Sequence, residues 1–413
     1  MANDNEKILK LNDWLSMNRE GIMDGESLMS SFVVRNGTAV FINDDTKFKY
    51  YINQLYSEMS LAQKLISKKK FADIILDNYI QVNIDPAHEC EIIKQIDEIK
   101  IEKMHVLLPV FYVHMHCETI NFGENRFVKF QDIIKVFNIG EYEIFNGMTE
   151  LGKDKYFYNV PFADIIVESR DFDYAYEQAE IKLEEIIHIC NYMLYSGIRG
   201  AEVISSTTNS GTQERRFIIG EKTSNVYSGG HSPLVKRLCF EDAKDFMVNE
   251  KCGNMQLWGM YDKKDKNEVE TRIINAVNWI GMAIAEKNNS IAFTQAVFAI
   301  ESLLQRQTKG EIFNKSIVAS IAEDIAFLLG RDFEERKKYE KEFKKIYGIR
   351  SKIAHGKSSE ITAYQVLDVI NMAKLLVQEL IINPVFKDAA TMQKITNYII
   401  KQRYTVDVEK ESK

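Results

Sequence analysis

The sequence predicts an α+β protein, in which a mixed, strand-rich N-terminal region is followed by an all-α antiparallel helical bundle. Short apolar runs with strand character precede Asn267, whereas amphipathic helical patterns joined by short connections follow it. The charged run Asp262–Lys266 separates the regions with these two sequence patterns. We therefore predict a mixed region at residues 1–262, with a candidate subdivision near 170–200, and a helical bundle at 267–405.

Length and composition favour a folded protein with more than one domain. The chain has 413 residues, of which 45% are hydrophobic and 27% charged, and this exceeds what one hydrophobic core usually supports. It contains neither a secretory leader pattern nor an apolar run of about 18 residues, so we expect no membrane insertion. The five scattered cysteines form no C-x-x-C pair, which predicts free thiols and a cytoplasmic protein.

Strand signals dominate the N-terminal region. Asn36-Gly37 separates two apolar runs and suits the two-residue turn of a β-hairpin. The run Val106–Val113 predicts a strand, and its internal Pro109 places that strand at a sheet edge or a bulge. Met255–Trp258 is the last predicted strand. Between these strands, one apolar stripe predicts a helix of about six turns, with Tyr176, Ala179, Leu183, Ile186, Cys190 and Met193 on one face.

Five successive helices are predicted after Asn267 from apolar residues at three- and four-residue spacing. Ser290 is expected to cap the second helix, and Asn314 the third, which we expect to end with Gly330 at the C′ position. The fourth helix is predicted over 333–354. Thr362 begins a capping box that opens the fifth helix.

The fourth helix carries a charge where its pattern requires an apolar residue. Its stripe of inward positions passes through position 350, which is arginine. A buried guanidinium without a partner is unfavourable, so we expect Arg350 at the edge of the bundle, facing a cleft, a carboxylate or a second subunit. His355 follows five residues later, immediately before Gly356, which is expected to stop the helix.

Arginine and histidine at this spacing have the chemistry that RNA cleavage needs. Histidine can move the proton of the 2′-hydroxyl, and arginine can stabilise the charge of the pentacoordinate phosphate, so neither a metal nor a cofactor is predicted. The formal net charge is -7, so any RNA-binding surface must be local. Residues 331–357 contain ten Lys or Arg against five Asp or Glu, and we expect Lys345, Lys352 and Lys357 to bind RNA.

Three segments together resemble the HEPN superfamily, and most closely its Apea-like branch. They are Phe298–Leu304, the third helix and Tyr347–Gly356, and the resemblance covers about residues 270–385. It implies a HEPN-like bundle that forms a homodimer, with the Arg-x4-His motifs of both chains in one composite cleft. Such a site would cleave RNA without metal and leave a 2′,3′-cyclic phosphate. Arg350 and His355 match this motif.

The same resemblance implies a role in bacterial antiphage defence by abortive infection, with the N-terminal region either sensing an unknown trigger or restraining the nuclease. Ser351 follows the arginine, where many members carry Asn, Asp or His, and is a further candidate site residue. Glu301 is another, and it either forms a structural ion pair with Arg350 or acts in the site. The alternative function is a noncatalytic HEPN scaffold that serves dimerisation or partner binding.

His114 and His116 form the competing cluster. Alternate residues of a strand lie on one face, so both histidines could ligate zinc. No second pair of ligands stands at a suitable spacing in the sequence. A solvent-facing strand is therefore favoured over a metal site.

Overall fold

A computed structural model describes residues 32–35, 38–41, 45–58, 65–84, 92–110, 113–115, 117–129, 132–133, 135, 161–194, 214–219, 226–231, 238–239, 252–305, 317–356 and 360–404. Over these ranges the protein is α+β and mostly helical, with a small antiparallel sheet of four strands, which confirms the predicted class at this level. No helix within them is long and apolar enough to cross a membrane.

The chain divides into two compact units. The first contains Met1–Val106 and Ile165–Ile181, and the second contains Leu107–Asp164 and Lys182–Lys413. In the first unit, buried Phe71, Ile75 and Ile96 belong to one apolar core. Its helices are α1 (Asp45–Glu58), α2 (Lys68–Ile84) and α3 (Ile92–Glu98).

The predicted hairpin is present in the first unit. Strands β1 (Phe32–Arg35) and β2 (Thr38–Phe41) pair antiparallel, with Arg35 opposite Thr38. This register leaves two residues for the connection, as an Asn-Gly turn requires. Asn36 and Gly37 themselves lie outside the described residues.

The main sheet has the strand order β3-β7-β6-β5. Strand β3 is therefore an edge strand, and it ends at Pro109, in agreement with the position predicted for this proline. The strands are β3 (Glu102–Pro109), β5 (Thr119–Phe122), β6 (Asn125–Lys129) and β7 (Pro161–Ser169).

Two further strand pairs in the described ranges lie outside this sheet. Short strands β4 (Val113–His114) and β10 (Leu238–Cys239) pair in parallel. Strands β8 (Glu214–Ile219) and β9 (Val226–His231) pair antiparallel.

Helices α4 (Phe172–Leu194) and α5 (Asn254–Asp262) precede the C-terminal helices. The first matches the predicted amphipathic helix, whereas the second replaces the strand predicted at Met255–Trp258, and that prediction was wrong. A short segment with three apolar residues in four does not distinguish a strand from a buried helical turn. Leu257 is buried while Met255 is exposed, so this helix buries only part of its surface.

Six α-helices follow within the described residues, and one large apolar core joins their buried faces. Five of the six were predicted, but the last was not separated in the sequence pattern. Their bounds are α6 (Glu268–Ala285), α7 (Asn289–Leu304), α8 (Ile317–Leu329), α9 (Phe333–Ala354), α10 (Ala363–Ile382) and α11 (Met392–Tyr404).

The helix ends correct two of the predicted caps. Asn288, rather than Ser290, caps α7, and its side chain accepts hydrogen bonds from two backbone N–H groups. Gly330 does not adopt the left-handed conformation expected at C′. A Cβ there would meet the Ala326 carbonyl oxygen at 2.7 Å, so close packing requires this glycine. Asn314 lies outside the described residues.

The capping box of α10 is confirmed. The Thr362 side chain accepts a hydrogen bond from the Gln365 N–H, and the Gln365 side chain accepts one from the Thr362 N–H. At the other critical boundary, α9 ends where predicted, because Gly356 adopts a left-handed conformation with φ of 68°. The motif predicted from sequence therefore lies at the C-terminal end of a helix of 22 residues.

Candidate active site

Arg350 lies on the half-buried side of α9, in contact with α7. Its guanidinium Nη2 is 3.4 Å from Glu301 Oε2. Only 24% of the Arg350 side chain and 13% of the Glu301 side chain are exposed. The predicted environment of Arg350, a carboxylate at the edge of the helical core, is therefore present, and it makes Glu301 its ion-pair partner.

Two aromatic rings flank this guanidinium. The Arg350 Cζ atom lies 5.1 Å from the Phe298 ring centroid and 5.7 Å from that of Tyr347. Phe298 is in turn 5.2 Å from Trp279 in an edge-to-face arrangement. Such cation–π contacts stabilise a guanidinium and limit its freedom to reorient.

The roles of both rings were not predicted from the sequence, although the sequence contains a signal for them. Tyr347 precedes Arg350 by three residues, and Phe298 precedes Glu301 by three residues on the other helix. Residues separated by three are neighbours on a helical surface. Each ring could therefore have been assigned to the same helix face as its charged neighbour.

Glu301 is a carboxylate in a low-polarity environment. Burial raises its pKa above the ordinary glutamate value, while the Arg350 charge and the Tyr347 hydroxyl act in the opposite direction. Because burial has the larger effect, the Arg350 guanidinium and the Tyr347 hydroxyl compensate the buried carboxylate only in part.

His355 and Ser351 form the C-terminal turn of the motif. The His355 backbone N–H donates a hydrogen bond to the Ser351 carbonyl at 3.1 Å, and the Gly356 N–H donates to the Ile353 carbonyl at 3.0 Å. The His355 side chain is exposed, and within the described ranges it takes part in no side-chain hydrogen bond or ion pair. Ser351 is half-buried. An exposed imidazole at this place is accessible to an RNA chain.

A row of lysines runs along the exposed side of α9. Lys338, Lys341, Lys345 and Lys352 lie within about 60° of one another around the helix axis, and we call them the lysine face. All four are exposed. Lys338 approaches Glu342 at 4.0 Å, whereas Lys345 and Lys352 form no ion pair with any residue that the structure describes. Lys357, the third lysine predicted to bind RNA, lies outside the described residues.

His355 borders the lysine face. From Lys352 to His355 is three residues, which places both side chains on neighbouring positions of the helix surface. Gly348 lies on the same side, and a Cβ there would meet no other atom within 4 Å. The surface beside His355 is therefore open. Between positions 343 and 354, the ionisable side chains are lysines, Arg350 and Tyr347.

The competing histidine cluster is only partly described. His114 forms the end of β4, and its backbone pairs with Cys239. His116 lies outside the described residues. Within the residues that the structure describes, no three His, Cys, Asp or Glu side chains are grouped so that they could hold a metal ion.

Comparisons with known proteins yielded no significant match to a family model, to a curated protein or to a solved structure. The resemblance to HEPN proteins therefore rests on the motif residues and their setting alone.

Proposed function

We propose that this protein is a metal-independent endoribonuclease whose site combines Arg350 and His355 of a HEPN-like homodimer. The observation that carries the proposal is the setting of the Arg-x4-His motif at the end of α9. There, a partly exposed arginine at the core edge is followed by an exposed histidine beside the lysine face. Each component of the site has a chemical role.

In the proposed reaction the 2′-oxygen attacks the adjacent phosphorus and the bond from phosphorus to the 5′-oxygen breaks. His355 takes the 2′-hydroxyl proton, and the imidazolium so formed donates a proton to the departing 5′-oxygen. Arg350 stabilises the additional negative charge on the phosphoryl oxygens. The products are a 2′,3′-cyclic phosphate and a 5′-hydroxyl end.

Lys345 and Lys352 are proposed to hold the RNA backbone next to His355. Their exposed ammonium groups, which form no ion pair among the described residues, suit phosphate contacts, and such contacts supply most of the affinity of proteins for nucleic acids without reading sequence. Ser351 is a weaker candidate, because its hydroxyl can hydrogen-bond substrate but is a poor acid or base. An unknown trigger acting through the N-terminal region, in an antiphage response, remains part of this proposal.

A noncatalytic scaffold is the second candidate function. The contact between Arg350 and Glu301 favours it, because a half-buried ion pair flanked by aromatic rings can serve packing alone. Such a scaffold has no need of an exposed histidine beside a lysine face. For that reason we rank it below the nuclease.

One experiment separates the two functions. The purified full-length protein is incubated with total RNA and with tRNA in EDTA, beside the variants His355→Ala and Arg350→Ala. The nuclease proposal predicts cleavage by the wild type, products with 2′,3′-cyclic phosphate ends, and loss of cleavage in both variants. Lys394→Gln is the matched control, since Lys394 is exposed and belongs to α11 rather than to the motif helix α9.

Cleavage that both substitutions leave intact would remove Arg350 and His355 from the site. If the wild type binds RNA but none of these proteins cleaves it, the scaffold function is favoured. Cleavage that EDTA abolishes would contradict the metal-independent mechanism.

A further inference from the structure

Arg350 uses its hydrogen-bonding capacity incompletely. Its one described acceptor is Glu301, and the separation of 3.4 Å is long for a charge-assisted hydrogen bond. Its Nε atom is buried and has no acceptor among the residues that the structure describes. A guanidinium can hold two oxygens of one anion through parallel N–H groups, so this arginine has capacity for a better-fitting anion.

The Glu301 carboxylate, which lies next to Arg350, is poorly stabilised in its charged form. Its side chain is largely buried, and burial opposes its charge more than the neighbouring groups favour it. The long contact with Arg350, together with the Tyr347 hydroxyl, does not restore the hydration that the buried carboxylate has lost. An anion that reaches Arg350 from solvent would meet a guanidinium already oriented by the Phe298 and Tyr347 rings.

We infer that Glu301 occupies the phosphate position of Arg350 in this state of the protein, and that RNA must displace its carboxylate before Arg350 can bind the backbone. A carboxylate resembles a phosphate in charge sign and in offering paired oxygen acceptors, so one can take the place of the other at a guanidinium. Glu301 thereby restrains the site. The inference rests on the proposed function in assigning phosphate as the ligand of Arg350.

The test compares binding with cleavage. The binding probe is a fluorescein-labelled, single-stranded 2′-O-methyl oligonucleotide, which lacks the 2′-hydroxyl nucleophile and cannot be cleaved by this route. Its affinity is measured by fluorescence anisotropy for the full-length wild type, Glu301→Gln and the double variant Glu301→Gln/Arg350→Ala. Cleavage of the corresponding RNA in EDTA is measured in parallel.

We expect Glu301→Gln to bind the probe on the order of tenfold more tightly than the wild type. The double variant should lose this gain, since the gain requires the freed guanidinium. Glu301→Asp keeps the charge but shortens the side chain by one methylene. Its affinity for the probe should lie between those of the wild type and Glu301→Gln, and it provides a second variant if the glutamine variant folds poorly. Cooperative thermal unfolding shows that each protein is folded.

Glu323→Gln is the matched control. Glu323 of α8 also forms an ion pair with an arginine, Arg403 of α11. Breaking that pair removes one carboxylate charge without touching Arg350. Its affinity for the probe should therefore stay within twofold of the wild type, which separates a specific effect from a general change in net charge.

Two outcomes overturn the inference. If Glu301→Gln and Glu301→Asp, both folded, bind the probe no more tightly than the wild type, Glu301 only positions Arg350. If the gain persists without Arg350, its source is another part of the surface.

The parallel cleavage assay separates this inference from the proposed function. If binding becomes tighter in a way that depends on Arg350, but no variant cleaves RNA, the restraint by Glu301 is supported and the nuclease function is contradicted. If cleavage depends on Arg350 and His355, but Glu301→Gln binds no more tightly than the wild type, the nuclease function is supported and the restraint by Glu301 is contradicted.

Discussion

Arg350 and His355 lie on different sides of α9. Five residues along an α-helix correspond to a rotation of about 140° and a rise of about 7.5 Å. In agreement with this geometry, Arg350 contacts Glu301 of α7, whereas the His355 side chain is exposed. No hydrogen bond joins the two side chains in the described part of the chain. A site that needs both groups at one phosphate is therefore served best by two chains.

This relationship predicts complementation between inactive subunits. Arg350→Ala and His355→Ala proteins, each inactive alone, should regain part of the wild-type cleavage rate after they are mixed and allowed to exchange subunits. A mixed dimer contains one intact arginine and one intact histidine on different chains. The rate is measured with fluorescent RNA in EDTA, against either variant exchanged with itself.

A second mixture sharpens the test. The double variant Arg350→Ala/His355→Ala, exchanged with the Arg350→Ala protein, contains no intact arginine and should stay inactive. Exchange itself is followed by energy transfer between labelled subunits. A complementing pair that exchanges fully but remains inactive would contradict a site composed from both chains.

The lysine face should determine the salt dependence of RNA binding. Replacing both Lys345 and Lys352 with Gln removes two exposed charges beside His355. Each lost phosphate contact on a single strand reduces the slope of log affinity against log salt by about 0.7, so the pair should reduce it by roughly 1.4. The slope is measured by anisotropy over a salt series with the 2′-O-methyl oligonucleotide.

Lys394→Gln, on α11, is the control for this prediction and should leave the slope unchanged. An equal decrease in the control would show that overall charge governs binding. An unchanged slope in the Lys345/Lys352 double variant would remove the lysine face from the RNA path.

Local signals predicted the helix that carries the motif. Residues 333–354 form α9 as expected because its apolar spacing, its acidic first turn and its glycine stop all favour the same helix. Asp332 adds an N-cap, accepting a hydrogen bond from the Glu335 N–H at 2.9 Å. Sequence patterns are most informative where several local preferences coincide.

Local signals could not determine contacts between helices. The sequence allowed a cleft, a carboxylate or a second subunit beside Arg350, and the choice of Glu301 depends on how α7 and α9 pack. Likewise, a short apolar run did not reveal that Met255–Trp258 belongs to a helix. Gly330 also was assigned to a cap, whereas the close approach of backbone atoms explains it.

Gly281 should be essential to the packing of α4 against α6. A Cβ on Gly281 would lie 2.3 Å from the His188 carbonyl oxygen and 2.6 Å from the His188 Cα, and backbone atoms cannot move aside as a flexible side chain can. Gly281→Ala should therefore lower the free energy of unfolding by about 1–3 kcal/mol. Urea unfolding followed by circular dichroism measures the loss.

Gly348→Ala provides the matched comparison for this substitution. Gly348 also lies within a helix, but a Cβ there would meet nothing within 4 Å. Alanine should stabilise α9 by up to about 1 kcal/mol, because glycine is a poor helix former. Equal effects of the two substitutions would show that helix propensity, rather than the contact with His188, determines the result.

His188 should make the protein sensitive to acid. Burial lowers the pKa of this histidine from its ordinary value of 6.5 to about 4. The unfolded chain therefore takes up this proton below pH 6.5, while the folded chain resists it until about pH 4. Stability falls as the pH decreases through this window, by about 3 kcal/mol when the shift is converted to free energy.

Replacing His188 with Gln should flatten this acid limb. The variant has no imidazole to protonate, so its free energy of unfolding should decrease less between pH 6.5 and pH 4 than that of the wild type. The difference between the two proteins should be constant above pH 7, where the imidazole is neutral in both states, and this region serves as the internal control for any packing effect of the substitution. Urea unfolding at a series of pH values measures the difference, and parallel curves across the acid window would show that His188 is not the group whose protonation destabilises the fold.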